Sequence, residues 1–236
     1  MYYERHEGTP QGGPLSPILS NLLLDDLDRE LEKRGHTFCR YADDCNIYVQ
    51  SEVAGERVKE SITQFLEKKL KLRVNQTKSA VAPVKERQFL GYRIMQDGRL
   101  ILAPRSIERI KERIRKLTKR TRGVKLETVI KEINQTLIGW GNYFCYVLNS
   151  DLQDLDGWIR RRVRCYRLKQ RKRGHSILSF LTKLGVPREH ARSTSGSNKG
   201  WWRLSSTPAI HEALNLKWFR SIGLISLVDK HKVLNV

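Results

Sequence analysis

Two adjacent carboxylates, Asp43 and Asp44, are the residues of this sequence whose types and spacing best suit catalysis. They lie between two runs typical of β-strands, Thr37–Tyr41 and Asn46–Gln50, which places them at the tip of a predicted β-hairpin. A hairpin tip holds side chains rigidly and leaves them accessible, and two-metal phosphoryl transfer needs clustered carboxylates on a stiff support. A pair of aspartates between strands is also common in simple turns, since Asp suits turn geometry.

A loop rich in glycine and proline precedes the predicted hairpin, from Gly8 to Pro14. Gly12 and Gly13 would let the backbone approach a bound group closely, and Gln11 could form a hydrogen bond there. The same glycines suit a turn that leads into the next helix, and one loop can serve both purposes.

Positive charge is concentrated in the second part of the chain. The net charge is +20 over 236 residues, yet residues 1–100 carry 16 Lys and Arg against 15 Asp and Glu. Residues 101–180 carry 20 against 7, a net charge of +13. This difference predicts two functional parts, the second of which binds a polyanion such as RNA or DNA. The alternative is a solvated cationic surface.

Cysteine spacing and hydropathy limit which metal sites, disulfides and cellular locations can be expected. The four cysteines form no C-x-x-C pair, which argues against a zinc site and a disulfide framework. No apolar run approaches about 18 residues and no signal peptide is recognisable, so we expect a soluble cytoplasmic protein without a membrane partner.

Residues 1–102 are predicted to alternate helices with pairs of strands. Ser16, as N-cap, and Pro17 begin a helix. A second amphipathic helix spans Glu52–Leu70, and further short strands are predicted at 72–75, 80–82, 89–94 and 100–102. The fold class of this region is α+β, an antiparallel sheet with helices on one face. The first helix has a predicted buried stripe formed by Leu19, Leu23, Leu27 and Leu31.

From Pro104 onward the hydrophobic period is helical, and three amphipathic helices predict a small bundle. We expect an all-α basic domain over residues 103–185 and a C-terminal extension over 186–236, with Arg192–Gly200 as a flexible loop. Trp140 and Phe144 suit the core of the bundle, whereas Trp201 and Trp202 could either stack on RNA or pack.

Four motifs follow one another in a fixed order. They are Pro10-Gln11-Gly12-Gly13-Pro14-Leu15-Ser16-Pro17, Tyr41-Ala42-Asp43-Asp44, Asn75 with Lys78, and Phe89-Leu90-Gly91-Tyr92. Their order and spacing resemble the palm of group II intron reverse transcriptases. The basic helices after Pro104, with Gly139-Trp140-Gly141-Asn142-Tyr143-Phe144, resemble the thumb, or maturase-specific domain, of the same family.

The resemblance implies an RNA-directed DNA polymerase that also aids intron splicing and mobility. Its partners would be group II intron RNA, primer DNA and deoxynucleoside triphosphates. Asp43 and Asp44 would bind Mg²⁺, and Lys78 would neutralise phosphate charge, although an isolated surface lysine is usually only solvated. The remaining predicted nucleotide- or primer-binding residues are Gln11, Gly12, Gly13, Tyr41, Ala42 and Gly91. The predicted RNA-binding residues are Arg113, Lys116, Lys119, Arg120, Arg160, Arg161, Arg164, Arg167 and Arg171.

The sequence departs from the family at its N-terminal side. The family palm has one more metal-binding Asp, on a strand before the Pro-Gln-Gly-Gly segment, and residues 1–7 contain no Asp. We therefore expect a chain that lacks the fingers and the first palm aspartate, and that is inactive alone unless a separate N-terminal segment completes it. The alternative function is a non-catalytic splicing cofactor that binds intron RNA, or an inactive remnant.

Overall fold

The computed structural model describes residues 13–234, and the chain divides into two compact units, residues 1–89 and 90–236. The sequence predicted the first boundary at residue 102, just before the hydrophobic period becomes helical. The two compact units divide between residues 89 and 90, and Leu102 packs in a core cluster of the second unit. The mixed fold, mostly helical with small antiparallel sheets, agrees with the predicted α+β class.

The described part of the first unit contains two α-helices, one hairpin and a short 3-10 helix. Its elements are α1 (Ser16–Lys33), β1 (Thr37–Tyr41), β2 (Asp44–Tyr48), α2 (Glu52–Lys68) and a short 3-10 helix (Val84–Glu86). Strands β1 and β2 pair antiparallel, and α2 begins where the Ser51 hydroxyl accepts the Ala54 amide.

Helix α1 is buried only over its second half. Leu24, Leu27 and Leu31 pack with Ile62 of α2, whereas Leu19 and Leu23 are exposed, so the predicted stripe is wrong at its N-terminal end. The fourfold spacing identifies one face of the helix but not how far along the helix a partner covers it. The N-cap of α1 is Leu15 rather than Ser16, which is the first helical residue.

The strands predicted at 72–75 and 80–82 are absent from the described first unit. The side chain of Asn75 accepts hydrogen bonds from the Thr77 amide, the Thr77 hydroxyl and the Lys78 amide. Residues 76–78 form this local turn, which satisfies the backbone without a strand partner.

The second unit begins with a hairpin and continues as helices. Its elements are β3 (Tyr92–Ile94), β4 (Leu100–Leu102), α3 (Pro104–Leu117), α4 (Leu126–Tyr143), α5 (Asn149–Arg171), α6 (Gly174–Lys183), α7 (Arg188–Ser195), α8 (Trp201–Leu204), α9 (Pro208–Ala213), α10 (Leu216–Ser221) and α11 (Leu227–Leu234). The region predicted to be a flexible loop, Arg192–Gly200, is helical over its first four residues because α7 extends to Ser195. Buried Ala191 and Thr194 hold that helix on its neighbours.

Helix α5 runs between two hydrophobic clusters of the second unit. Leu152, Leu155, Ile159 and Val163 contribute to the cluster with α3 and α4, and Leu168 contributes to the cluster with α6 to α9. The three helical stripes predicted for this region are therefore confirmed. The C-terminal helix α11 closes the first cluster, where the buried Asp156 carboxylate accepts the Ser226 hydroxyl at 2.6 Å and the Leu227 amide at 3.0 Å.

Candidate active-site hairpin and nucleic-acid interface

The hairpin β1–β2 presents two carboxylates at its tip. Tyr41 pairs with Asp44, so the turn consists of Ala42 and Asp43 alone. All four residues are exposed, and Ala42 adopts a φ of 53°, a conformation that costs a non-glycine residue about 1–2 kcal/mol. The structure thus confirms the predicted position of Asp43 and Asp44 at a tight, solvent-accessible hairpin tip.

Arg40 braces this tip against α1. Its guanidinium donates to both carboxylate oxygens of Asp28, at 2.7 and 2.5 Å. It also donates to the side-chain oxygen of Asn21 at 3.0 Å and to the carbonyl of Ala42 at 2.9 Å. One side chain therefore joins two positions of α1 to the backbone of the strained turn.

The brace is partly shielded from water, since the Arg40 and Asp28 side chains are 12% and 25% exposed. The hydrogen bond that Arg40 donates to Asp28 raises the pKa of Arg40, so this guanidinium keeps its charge. Sequence reasoning missed Arg40, although the residue directly precedes the tetrad. The position of an arginine in a predicted strand does not indicate which groups its guanidinium will contact.

The donor set at the tip suits Mg²⁺. Carboxylate oxygens are the ligands that this ion prefers, and Mg²⁺ is commonly held by one or two carboxylates together with substrate phosphates. Both Asp43 and Asp44 are exposed, so neither carboxylate has been desolvated by burial. Within residues 13–234, no group of three or more His, Cys, Asp or Glu side chains is arranged to hold a metal ion.

The other residues predicted for nucleotide binding are spread over both units. Gln11 and Gly12 lie outside the described residues, and Gly13 accepts the Ser16 amide at 3.1 Å just before α1. Lys78 has an exposed side chain at the turn that Asn75 organises.

Gly91 lies in the second unit and has a φ of +82°. A Cβ at this position would lie 2.7 Å from the Ser106 Oγ and 3.1 Å from the Phe144 ring. The space beside this glycine is therefore occupied by the side chains of Ser106 in α3 and of Phe144, which follows α4. Its neighbour Tyr92 donates a hydrogen bond to the Tyr143 carbonyl, and burial raises the pKa of Tyr92 to about 12.

Helix α3 carries an exposed basic face. Its apolar stripe, Ile110, Ile114 and Leu117, is buried, which turns the charged positions to solvent. The predicted RNA-binding residues on and after this helix are all exposed: Arg113, Lys116, Lys119 and Arg120. Exposed arginine and lysine side chains such as these suit phosphate contacts.

Several arginines of α5 are turned inward instead. Arg164 is 7% exposed and donates two hydrogen bonds to the Leu214 carbonyl, and burial lowers its pKa to about 10. In this conformation Arg164 offers no surface to RNA. Arg167 and Arg171 both lie over the ring of Phe180, at 5.2 and 4.3 Å.

The first positions of the α5 arginine run are also engaged within the unit. Arg160 forms an ion pair with Asp156 at 3.9 Å, and Arg161 lies over the ring of Trp202. The density of charged residues predicted a basic helix, but it did not predict that these arginine side chains contact other residues of the unit. Phe144 is buried and Trp140 packs against the same cluster, so the expected core positions are confirmed.

Two family models match the chain in succession. The model described as reverse transcriptase (RNA-dependent DNA polymerase) matches residues 2–94, and the group II intron, maturase-specific domain matches residues 107–182. These segments are the ones that carry the aspartate hairpin and the basic helices. The chain belongs to the group II intron reverse transcriptase and maturase family.

A curated relative matches over a shorter part. The chain is 30% identical to Protein YkfC from Escherichia coli (strain K12), in an alignment that covers 41% of this chain and 34% of that protein. The chain thus spans about a third of the length of this relative. Among the helices of residues 13–234, none has the length and apolar character needed to cross a membrane.

Proposed function

We propose that this chain provides the metal-binding hairpin of a group II intron RNA-directed DNA polymerase together with the RNA-binding helices of its maturase. The observation that carries the proposal is the braced tip of β1–β2. It presents Asp43 and Asp44 to solvent inside the segment that matches reverse transcriptases. A basic helical unit that matches the maturase-specific domain follows it.

In this proposal each group has a limited task. Asp43 and Asp44 would hold Mg²⁺, which would supply positive charge for the nucleotide phosphates and for activation of the primer hydroxyl. Arg40 holds the backbone of the turn that carries both carboxylates by a hydrogen bond to the Ala42 carbonyl. Lys78 offers a positive charge for the triphosphate. The substrates are primer DNA and deoxynucleoside triphosphates, with intron RNA as template.

A second candidate function is intron RNA binding without polymerisation, as a splicing cofactor. It is favoured by the exposed basic face of α3 and by the lack, among the described residues, of a third metal-binding side chain near Asp43 and Asp44. Two carboxylates alone bind Mg²⁺ weakly, because substrate phosphates must complete the shell.

Primer extension tests the polymerase proposal. The full chain would be assayed on a primed RNA template with Mg²⁺ and deoxynucleotides, alone and with the N-terminal part of a related reverse transcriptase added. We expect extension in the supplemented reaction and its loss in Asp43→Asn and Asp44→Asn. A supplemented reaction without extension, or one in which these variants retain full activity, overturns the polymerase role.

Salt-titrated binding tests the RNA-binding part separately. We expect the full chain to prefer group II intron RNA to an unrelated structured RNA of equal length. The combined variant Arg113→Gln and Lys116→Gln should bind RNA more weakly. Its affinity should also depend less steeply on salt, because binding with fewer phosphate contacts releases fewer counterions. Equal affinity for both RNAs would leave only nonspecific binding and would remove the maturase role.

A further inference from the structure

The side chains of Trp202 and its neighbour Trp201 differ in burial. Both belong to the short helix α8, yet Trp201 packs against the second hydrophobic cluster, whereas Trp202 is 37% exposed. Trp202 also lies beyond residue 182, where the match to the maturase-specific domain ends. The exposed indole therefore adds a feature to the second unit that neither family match covers.

Cationic side chains and indoles alternate around Trp202. The Arg161 guanidinium lies 4.0 Å from the centre of the Trp202 ring and donates to the Trp202 carbonyl at 3.1 Å. Arg162 lies 5.9 Å from the ring centres of both Trp202 and Trp158. Arg115 also lies 5.6 Å and Lys111 5.9 Å from the centre of the Trp158 ring. We call this set the tryptophan stripe: Lys111, Arg115, Trp158, Arg162, Trp202 and Arg161.

The positive charge of the stripe is poorly compensated. Within the described residues, the hydrogen bonds of Arg162 go to neutral oxygens, those of Thr118 and of the Arg115 backbone. Burial lowers the pKa of Arg162, and repulsion from Arg120 and Arg115 acts in the same direction. The Arg161 Nε is buried without a hydrogen-bond partner in the described structure. Among the residues described, the carboxylate paired with the stripe is Glu108, which contacts Arg115.

We propose that the tryptophan stripe binds unpaired nucleotides of RNA, with a base stacked against Trp202 and its phosphates neutralised by Arg161 and Arg162. Aromatic rings and guanidinium planes accept the face of any base, and uncompensated arginines complement the backbone. Bases inside a duplex are already stacked and cannot reach the ring. The inference rests on the proposed RNA binding and specifies which form of RNA this surface takes.

A purely structural role for the same contacts makes different predictions. If Arg161 and Trp202 only fasten α8 to α5, removing the indole should lower thermal stability without a selective effect on single-stranded RNA. A stacking role makes affinity depend on an aromatic ring rather than on side-chain volume. Trp202→Phe and Trp202→Leu separate these two properties.

The test compares an unpaired RNA of about 12 nucleotides with a blunt duplex of the same sequence. The full chain, Trp202→Ala, Trp202→Leu and Trp202→Phe would be titrated at one salt concentration. We expect the Ala and Leu variants to lose about tenfold in affinity for the single strand, Phe to retain most of it, and duplex affinity to change little. Tyr146→Ala, which removes an aromatic residue that is 71% exposed outside the stripe, is the matched control.

The outcomes separate this inference from the proposed function. Three results would overturn the stacking site while intron RNA binding stands. They are an equal loss of affinity for the single strand and the duplex in Trp202→Ala, no loss of affinity in that variant, and wild-type affinity in Trp202→Leu. A wild-type chain that binds neither intron RNA nor the single strand overturns both. Quenching of a fluorescent base analogue in the single strand, abolished in Trp202→Ala and restored in Trp202→Phe, would confirm stacking.

Discussion

The two compact units differ in how much apolar side chain each has buried. In the described part of the first unit, the core cluster consists of four buried residues: Leu24, Leu27, Leu31 and Ile62. The described part of the second unit has two clusters, of eighteen and eleven buried residues. Within the described residues, the candidate catalytic carboxylates thus lie on the unit with the smaller set of buried core residues, and the Arg40 brace adds polar contacts to their hairpin.

Truncation of one fully buried leucine in each unit should expose this difference most clearly. Leu31 and Leu137 are both 0% exposed, and each Leu→Ala change should cost about 2–5 kcal/mol. We expect Leu31→Ala to abolish hydrogen-exchange protection throughout α1 and the hairpin. Leu137→Ala should lower the melting temperature of the second unit, which stays folded.

Peptide-level hydrogen exchange measures both effects in one chain. Leu22→Ala, at a position 73% exposed on α1, is the control and should leave protection unchanged. Retained protection of the first unit in Leu31→Ala would show that its stability does not depend on the small cluster.

A pair of glycines tests how tightly the second unit is packed. Gly91 and Gly98 both have positive φ, but only a Cβ at Gly91 would meet neighbouring side chains. Gly98→Ala should cost about 1 kcal/mol from backbone strain, and Gly91→Ala about 2–3 kcal/mol because the clash with Ser106 and Phe144 adds to the strain. Urea denaturation of both variants gives the comparison, and equal costs would contradict close packing at Gly91.

The Arg40 brace can be measured with a double-mutant cycle. The Arg40 and Asp28 side chains are 12% and 25% exposed, and we expect a coupling free energy of about 1–2 kcal/mol from Arg40→Ala, Asp28→Ala and the double variant. Faster amide exchange at residues 42–44 should accompany the loss. The exposed pair Arg29 and Asp25 on α1 is the control and should couple by about 0.3 kcal/mol. Similar coupling in the two pairs would mean that the brace has no special strength.

The smallest expected effect concerns Glu132, which accepts two hydrogen bonds from Arg122 at 2.7 and 2.9 Å. The Arg122 guanidinium lowers the pKa of Glu132 below its usual value. The resulting stabilisation is present above the usual carboxyl pKa and is lost as the pH falls through the lowered one.

Glu132→Gln should therefore cost about 0.5 kcal/mol at neutral pH, and the difference from wild type should shrink in acid. Urea midpoints over a pH series provide the measurement. Glu127→Gln, at an exposed position on the same helix, should show no such trend, and a wild-type advantage that grows in acid would contradict the assignment.

Sequence patterns predicted the elements that depend on local spacing. The helical stripes of α3, α4 and α5 were found because every third or fourth residue is apolar and is buried in the structure. The hairpin that carries Asp43 and Asp44 was found because strand-forming residues flank a short turn. The exposure of Leu19 and Leu23 was missed, since periodicity shows a face without showing what covers it.

Long charged side chains account for most of what the sequence did not reveal about the candidate site. The basic composition of α5 indicated nucleic-acid binding, yet Arg164 ends at a backbone carbonyl inside the unit. Arg40 looked like an ordinary strand residue, and its four hydrogen bonds link positions up to 19 residues apart. Such directions depend on tertiary packing, so neither spacing nor net charge encodes them.

The Asp156 contact to the start of α11 has a consequence for synthesis on the ribosome. Its partners lie 70 and 71 residues further along the chain, so this contact forms only after residue 227 has been synthesised. Domains generally fold as units during synthesis, the N-terminal one first, and residues 1–89 form a compact unit of their own. We therefore expect the first unit to fold while the last helix of the second unit is still being translated.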